Sequence, residues 1–337
     1  MKEKNYNLEL IRTISFILVV VIHVSNYFCR AFGKISWGEY GFSLVLDTLA
    51  RVSVPSFFML SGALLLGREE SVGKCWKRAV RFLPPLLIWS IVYYLFNIYY
   101  MGSEFNLKEI LWIPVEAHLW YLYAMIPLYL VLPFFQVMVR HLTPNMEKAL
   151  LFLGTVAILM NYALSLFDGA LYYDVPLFGD RVYSYYFFLG FYLMKYKDHI
   201  RISNRWLAII FIVSNVLNIG LTALLSVATG DHMERTLEYG FPLVILGSIA
   251  FFLWMLRLGN GKVQLKEQTK KMVNSWCECS FGIYLIHIIF LDMFKKHVAA
   301  TEVSAYVAIP VLTIGILLLS YICVRLIRMV IGGKSIT

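Results

Sequence analysis

Ten long apolar segments constrain this chain more than any other feature of its sequence. A helix needs about 20 apolar residues to cross a bilayer. In lipid every backbone polar group must be satisfied internally, which favours helices for such segments. The sequence therefore predicts an all-α polytopic bundle of about ten transmembrane helices in one domain, residues 1–337. The segments lie near 7–29, 42–66, 82–101, 118–138, 148–167, 182–196, 206–228, 239–256, 275–294 and 304–328.

Composition agrees with a membrane protein. The chain is 60% hydrophobic and 15% charged, whereas soluble domains are about 25% charged. The first apolar run is long enough to span and has no Ala-x-Ala cleavage pattern, so we expect it to stay in place. The segment 107–116 is typical of a short interfacial piece, and the loop 168–181 could dip into the same interface.

The distribution of basic residues predicts the topology. The net charge is +9, but the lysines and arginines lie in short loops between apolar runs, which is the positive-inside pattern and not a nucleic-acid surface. With the N-terminus in the cytoplasm, about three times as many basic residues lie inside as outside. The sequence therefore predicts that both termini are cytoplasmic.

The cysteines and histidines do not form a metal or disulfide pattern. The five cysteines are scattered over several helices, which argues against a disulfide framework. Cys277 and Cys279 form a CxC pair without an accompanying histidine or second cysteine pair. Histidines on separate helices could bind a metal in principle, but they have no carboxylate-rich or paired spacing. We predict that the chain holds no metal.

Ionisable residues in the first helix are the first candidates for chemistry. Arg12 and His23 interrupt an apolar run and project the same way, about 16 Å apart along the axis. Glu9 lies one turn before Arg12, and we expect these two to pair. Ionisable groups inside a spanning helix are costly and indicate function. A histidine hydrogen-bonded only for structure is the alternative for His23.

A second set of polar residues is predicted in the outer half of the bundle. Helix direction and rise place Arg51 about 14 Å below the outer surface. The set comprises His23, Arg51, Glu116, His118, Trp120 and His287. Imidazoles are suited to acid–base chemistry. Arg51 could instead lock the bundle, His118 and Trp120 could belong to an interfacial aromatic belt, and His287 could be structural.

Basic residues are predicted at the inner end. Lys77, Arg78 and Arg81 precede the third apolar segment, and cations there are suited to binding phosphates. Positive-inside anchors are the alternative for Arg78 and Arg81. The two polar sets, joined by the helix-one stripe, predict a site that crosses the bilayer.

Four motifs in order resemble the acyltransferase 3 family of membrane acyltransferases. Arg12 and His23, separated by ten residues and preceded by Glu9, resemble its first-helix signature. RVSVPSFFMLSGALL from Arg51 is similar to the second-helix sequence of the subgroup of bacterial surface-polysaccharide O-acetyltransferases. The RAVR that begins at Arg78 resembles the family's cytoplasmic arginine pair. HLWYLYAM and SFGIYLIH resemble the corresponding later stretches.

The resemblance implies an O-acyltransferase of the bacterial cytoplasmic membrane. It implies transfer of an acetyl group from cytoplasmic acetyl-CoA, through the bilayer-embedded domain, to a hydroxyl of a surface glycan. Lys77, Arg78 and Arg81 would hold the CoA phosphates. His23 would act as general base or as a transient acyl carrier, and the sequence leaves both open.

The remaining candidate residues take supporting roles in this interpretation. Arg51 would stabilise the oxyanion or the acceptor, with Glu9 and Arg12 paired below. Glu116, His118, Trp120 and His287 would contact the acceptor. The competing function is transport of a serine-like amino acid, because related membrane domains occur in serine racemases and polar groups on both sides would also suit a carrier.

Overall fold

A computed structural model describes residues 4–103, 112–167, 169, 171, 177–178 and 182–331. The first half of the predicted interfacial segment 107–116 and most of the loop 168–181 lie outside these residues. The helices are α1 (Tyr6–Cys29), α2 (Trp37–Ala50), α3 (Ser53–Leu65), α4 (Val72–Phe96), α5 (Trp120–His141), α6 (Pro144–Ser165), α7 (Tyr183–Tyr196), α8 (Asn204–Thr229), α9 (Pro242–Arg257), α10 (Glu267–His297) and α11 (Ala305–Ile331). The predicted all-α class is confirmed.

Nine helical spans in the described part of the chain are long and apolar enough to cross a membrane. The tenth predicted segment is α7, a helix of 14 residues. α7 runs parallel to α9. The Tyr186 hydroxyl donates to the Tyr239 carbonyl at one end (2.8 Å), and Arg257 Nε donates to the Lys197 carbonyl at the other (2.6 Å). α7 therefore runs through the bundle in the same direction as the spanning helix α9.

Two glycines let α7 pack directly against α3. A Cβ on Gly62 would lie 1.7 Å from the Phe187 carbonyl oxygen, and one on Gly190 would lie 2.0 Å from the Met59 carbonyl oxygen. Small residues permit this close backbone approach, which stabilises helix pairs in membranes. Close packing against α3 thus stabilises the short helix α7 inside the bundle.

Both ends of the described chain lie on one face, which we call the inner face. At the start of α1, Lys4 donates to Asn274 near the start of α10 (2.6 Å). Near the end of α11, Arg328 donates to the Glu278 carbonyl in the same part of α10 (3.2 Å). The assignment of this face to the cytoplasm stays a prediction from the positive-inside rule.

The second span is broken in its middle. The sequence predicted a single helix over 42–66, whereas the structure has α2 and α3 with Arg51 and Val52 between them. Pro55 explains the break: it has no N–H to donate to the Arg51 carbonyl four residues earlier, and its ring crowds that carbonyl. The break places Arg51 at the end of α2, inside the bundle.

Candidate active site

One large cavity passes through the middle of the bundle. Its volume is about 910 Å³, and α1, α3, α4, α5 and α10 contribute to its walls. On α1, the lining side chains include Arg12, Val19, His23, Asn26 and Arg30, at spacings of three to seven residues. This spacing is one helical stripe. The prediction that Arg12 and His23 face the same way is therefore borne out by the geometry.

Three histidines meet beside the cavity. The His23 ring lies 5.2 Å from the His287 ring, and the His287 ring lies 5.3 Å from the His118 ring, between centroids. His23 and His118 line the cavity, whereas His287 is fully buried behind them and is not among the lining residues. The sequence predicted that all three lie in one region, and it placed His287 in contact with the acceptor, a contact that the cavity wall does not provide.

Backbone carbonyls fix the protons on two of these rings. His287 Nδ1 lies 2.6 Å from the Tyr284 carbonyl oxygen, and His118 Nε2 lies 3.3 Å from that of Leu285. A carbonyl only accepts, so these two nitrogens carry the protons. The other nitrogens, His287 Nε2 and His118 Nδ1, are buried acceptors without a hydrogen-bond partner among the described residues.

The inner end of the cavity is cationic. Arg12, Arg68 and Arg78 line it. Glu70, in the α3–α4 connection, lies among three cations: it accepts two hydrogen bonds from Arg78 and lies 3.0 Å from Lys74 Nζ and 3.7 Å from Arg68. The hydrogen bond from Arg78 lowers the pKa of Glu70 to about 2, so this carboxylate is ionised at neutral pH.

The other predicted inner residues have different positions. Lys77 and Arg81 are exposed and do not line the cavity. Successive helical residues are about 100° apart, so Lys77 points away from the direction of Arg78. Arg68 and Glu70 were not predicted, because they belong to the connection before α4 and have no helical phase. Glu9 pairs with Arg12 at 3.1 Å, as expected, and lies behind the wall.

Arg51 enters the cavity from the break between α2 and α3. Its Nη2 donates to Asp47 Oδ2 at 2.7 Å, and the Asp47 side chain is completely buried. Burying an ion pair is tolerable when the geometry is good. Asp47 was not predicted, although its position one turn before Arg51 was a readable signal. The guanidinium is thereby held at the cavity by a carboxylate behind it.

Asp47 also belongs to a small cluster beside the cavity. One ligand-type atom each from Cys29, Asp47 and His232 lies within 4.8 Å of the others. Arg51 already balances the charge of Asp47, and Tyr40 hydrogen-bonds to the His232 ring at 3.1 Å. Two of the three members thus already have partners outside the cluster, and our expectation of no metal stays a prediction.

The outer end of the cavity carries both basic and acidic side chains. Arg30 Nε donates to Glu234 Oε1 at 2.8 Å, and Asn26 donates to the same oxygen at 3.1 Å. Burial would raise the pKa of Glu234, but the hydrogen bonds from Arg30 and Asn26 outweigh it and lower the pKa. Glu116 and Lys295 line the same end, and burial raises the pKa of Glu116. Glu234 and Lys295 had not been predicted.

Trp120 lines the cavity within an aromatic stack. Its ring stacks on Tyr183 at 4.8 Å and lies 6.3 Å from Phe58. Tyr239 is tilted against it at 6.2 Å. Neighbouring rings therefore already cover part of Trp120, while its remaining surface faces the cavity.

Comparison with known proteins identifies a protein family. The acyltransferase 3 family model, described as an acyltransferase domain, matches residues 5–325, nearly the whole chain. No curated protein and no solved structure matches the chain. The span of the family match shows that this multi-pass membrane protein belongs to the acyltransferase 3 family.

Proposed function

We propose that this acyltransferase transfers an acetyl group from cytoplasmic acetyl-CoA to a hydroxyl of an acceptor on the outer side, most simply a surface glycan. One observation carries the proposal: a single cavity is lined by Arg78 at the inner end, by His23 in the middle and by Arg30 and Glu116 at the outer end. A donor entering from one side and an acceptor from the other can therefore meet beside His23. The membrane would be the bacterial cytoplasmic membrane.

The inner end supports the donor part of the proposal. Arginine binds phosphate through paired, charge-assisted hydrogen bonds. Arg68, Arg78 and Arg12 bring three guanidiniums to the inner part of the cavity, and Glu70 neutralises only part of their charge. Deeper walls are apolar, with Leu64 and Phe82, which suits the pantetheine arm. The phosphates would stay at the mouth while the thioester reaches His23.

The middle of the cavity supports the chemistry. The hydroxyl oxygen of the acceptor attacks the thioester carbonyl carbon while His23 takes the hydroxyl proton. Arg51 faces the same cavity and stabilises the negative charge on the carbonyl oxygen. The C–S bond then breaks, and the proton on His23 passes to the CoA thiolate. His23 is unchanged at the end, and the products are an acetyl ester and free CoA.

The outer end supports an acceptor that is rich in hydroxyls. His118 belongs to the wall, and Glu116 supplies an acceptor at this end. Arg30, Asn26 and Lys295 supply donors. The surface of Trp120 that faces the cavity suits a sugar ring. Sugars combine donors, acceptors and an apolar face, which this mixed lining matches.

The test is acetyl transfer by purified protein in proteoliposomes, with isotope-labelled acetyl-CoA and an envelope glycan fraction. His23→Ala should reduce labelling of the glycan by about 10³-fold, as loss of a general base does, while the protein remains inserted. His199→Ala changes an exposed histidine of the α7–α8 loop and should behave as wild type. Normal labelling by His23→Ala would refute the proposal, and CoA-independent serine uptake would favour a carrier.

A further inference from the structure

We propose that His287 is a positioning residue for His23: its Nε2 accepts the N–H of His23 and so turns the lone pair of the other His23 nitrogen toward the cavity. This inference rests on the proposed function. It assigns His287 a role behind the base instead of a contact with the acceptor.

The tautomer of His287 is fixed by its surroundings. The ring is fully buried and separated from the cavity by His23 and His118. Its Nδ1 donates to the Tyr284 carbonyl at 2.6 Å. In a neutral imidazole the second nitrogen is then an acceptor, and this Nε2 has no hydrogen-bond partner among the described residues. A buried acceptor without a donor is costly, so a donor is expected beside it.

The other rings that contact His287 cannot donate to its Nε2. His118 donates through Nε2 to the Leu285 carbonyl, so its Nδ1 is also an acceptor and cannot bond to His287 Nε2. The Tyr284 hydroxyl donates to the His118 carbonyl. Of the side chains whose rings contact His287, this leaves His23.

The distance between the rings fits this role. An N–H···N hydrogen bond of about 2.9 Å between two imidazoles places their centroids about 5 Å apart. The His23 and His287 centroids are 5.2 Å apart with the ring planes at 53°. His287 Nε2 has no partner among the described residues, so the bond requires the His23 ring to turn toward it while the Tyr284 carbonyl holds His287.

Among the described residues, no carboxylate is hydrogen-bonded or ion-paired to His23. The groups with the strongest electrostatic influence on it are His287, His118, Lys295 and Arg51, none of which is acidic. In many hydrolytic sites a carboxylate holds the tautomer of the base histidine. Here a second imidazole, itself held by a carbonyl, has that position.

In this arrangement only one proton is transferred in each step of the reaction. When His23 takes the hydroxyl proton, its other N–H remains bonded to His287 Nε2, so the ring keeps its orientation while it is cationic. The same proton then goes from His23 to the CoA thiolate as the C–S bond breaks. His287 gains and loses nothing, which is why its effect should appear in kcat and not in the binding of acetyl-CoA.

Two substitutions separate this role from a merely structural one. The Gln amide of His287→Gln reaches the position of Nε2 and can supply the acceptor. The amide of His287→Asn lies at the position of Nδ1, keeps the bond to the Tyr284 carbonyl and lacks that acceptor. We expect kcat to fall by about 10²-fold in H287N and by less than about tenfold in H287Q, with KM for acetyl-CoA within about twofold of wild type in both.

The matched control is His297→Gln, on the same helix ten residues further and bonded to Tyr100 outside the cavity; it should keep wild-type kcat. If H287N is as active as H287Q or more active, the bond to Tyr284 is what matters and the inference is overturned. Retained activity in His23→Ala would instead overturn the proposed function. An inactive His23→Ala together with a fully active H287N would remove only the role of His287.

Discussion

The inner end and the middle of the cavity hold their polar side chains by different means. At the inner end, Arg78 and its neighbours are joined by salt bridges to Glu70, and Arg68 and Lys74 are half exposed. In the middle, His118 and His287 are buried and fixed by backbone carbonyls. Ion pairs whose cation is half exposed, such as those of Arg68 and Lys74 with Glu70, contribute little and can exchange partners, whereas buried hydrogen bonds fix geometry. The first arrangement suits binding, and the second suits chemistry.

The largest effect after loss of His23 is expected at Arg51. Arg51→Lys keeps a cation beside Asp47, but the ammonium lacks the rigid planar fork with which a guanidinium presents separate N–H groups to Asp47 and to the cavity. We predict that kcat falls by about 10²-fold, as with loss of one oxyanion donor, with KM for acetyl-CoA little changed. Steady-state kinetics and a thermal unfolding midpoint close to wild type check this. A large change in KM with normal kcat would mean that Arg51 contributes to binding. The middle of the cavity would then not differ from the inner end in the way that we propose.

At the inner end, the expected effect is on binding alone. Arg78→Ala removes the guanidinium that we propose as a phosphate partner and should raise KM for acetyl-CoA by about tenfold or more, since charge-assisted hydrogen bonds contribute about 1.5–3 kcal/mol. kcat at saturation should stay near wild type. Arg81→Ala, an exposed neighbour outside the cavity, is the matched control. Equal effects of the two substitutions would mean that Arg78 acts only through general positive charge.

Salt should distinguish the two regions in the wild-type protein. At about 1 M ionic strength the Debye length is about 3 Å, so exposed charges are screened. KM for acetyl-CoA should then rise several-fold while kcat stays constant, because the imidazoles do not rely on exposed charge. Initial rates across a salt series test this. A fall in kcat with constant KM would reverse our assignment of the two regions.

The smallest effect is expected at Glu70. Its carboxylate competes with phosphate for Arg78, so Glu70→Gln should lower KM for acetyl-CoA by a few-fold. A carboxyl whose pKa is lowered to about 2 is ionised above that pH, and its pairing is lost only as the pH falls toward 2. The competition should therefore persist from pH 5 to 8 in wild type. A higher KM in Glu70→Gln would show that Glu70 orients Arg78 for the donor.

Much of the fold and part of the site could be predicted from the sequence, for identifiable reasons. Hydropathy located the helices, and the helical period placed Arg12 and His23 on one stripe. The break at Arg51 was missed, although Pro55 signals it. Glu234 could not have been found from local sequence, because it comes from the connection before α9 and reaches Arg30 only through the tertiary fold.

The phase of the helix explains only part of the mixed result at the inner end: Lys77 is about 100° from Arg78, whereas Arg81, one turn later, is on nearly the same side and is still outside the cavity. Lys77, Arg78 and Arg81 are equivalent as positive charges in the sequence, but only one of them faces the cavity. The role that we now propose for His287 could not be predicted either. It depends on which ring nitrogen meets the Tyr284 carbonyl, and that is decided by three-dimensional packing.

The most direct test of the account is the sidedness of transfer through the single cavity. Proteoliposomes in which the inner face of the protein is directed to the lumen would carry labelled acetyl-CoA inside and the envelope glycan fraction outside. The account predicts labelled glycan outside with wild type and about 10³-fold less with His23→Ala. Labelling only when the glycan and acetyl-CoA share one compartment would contradict it.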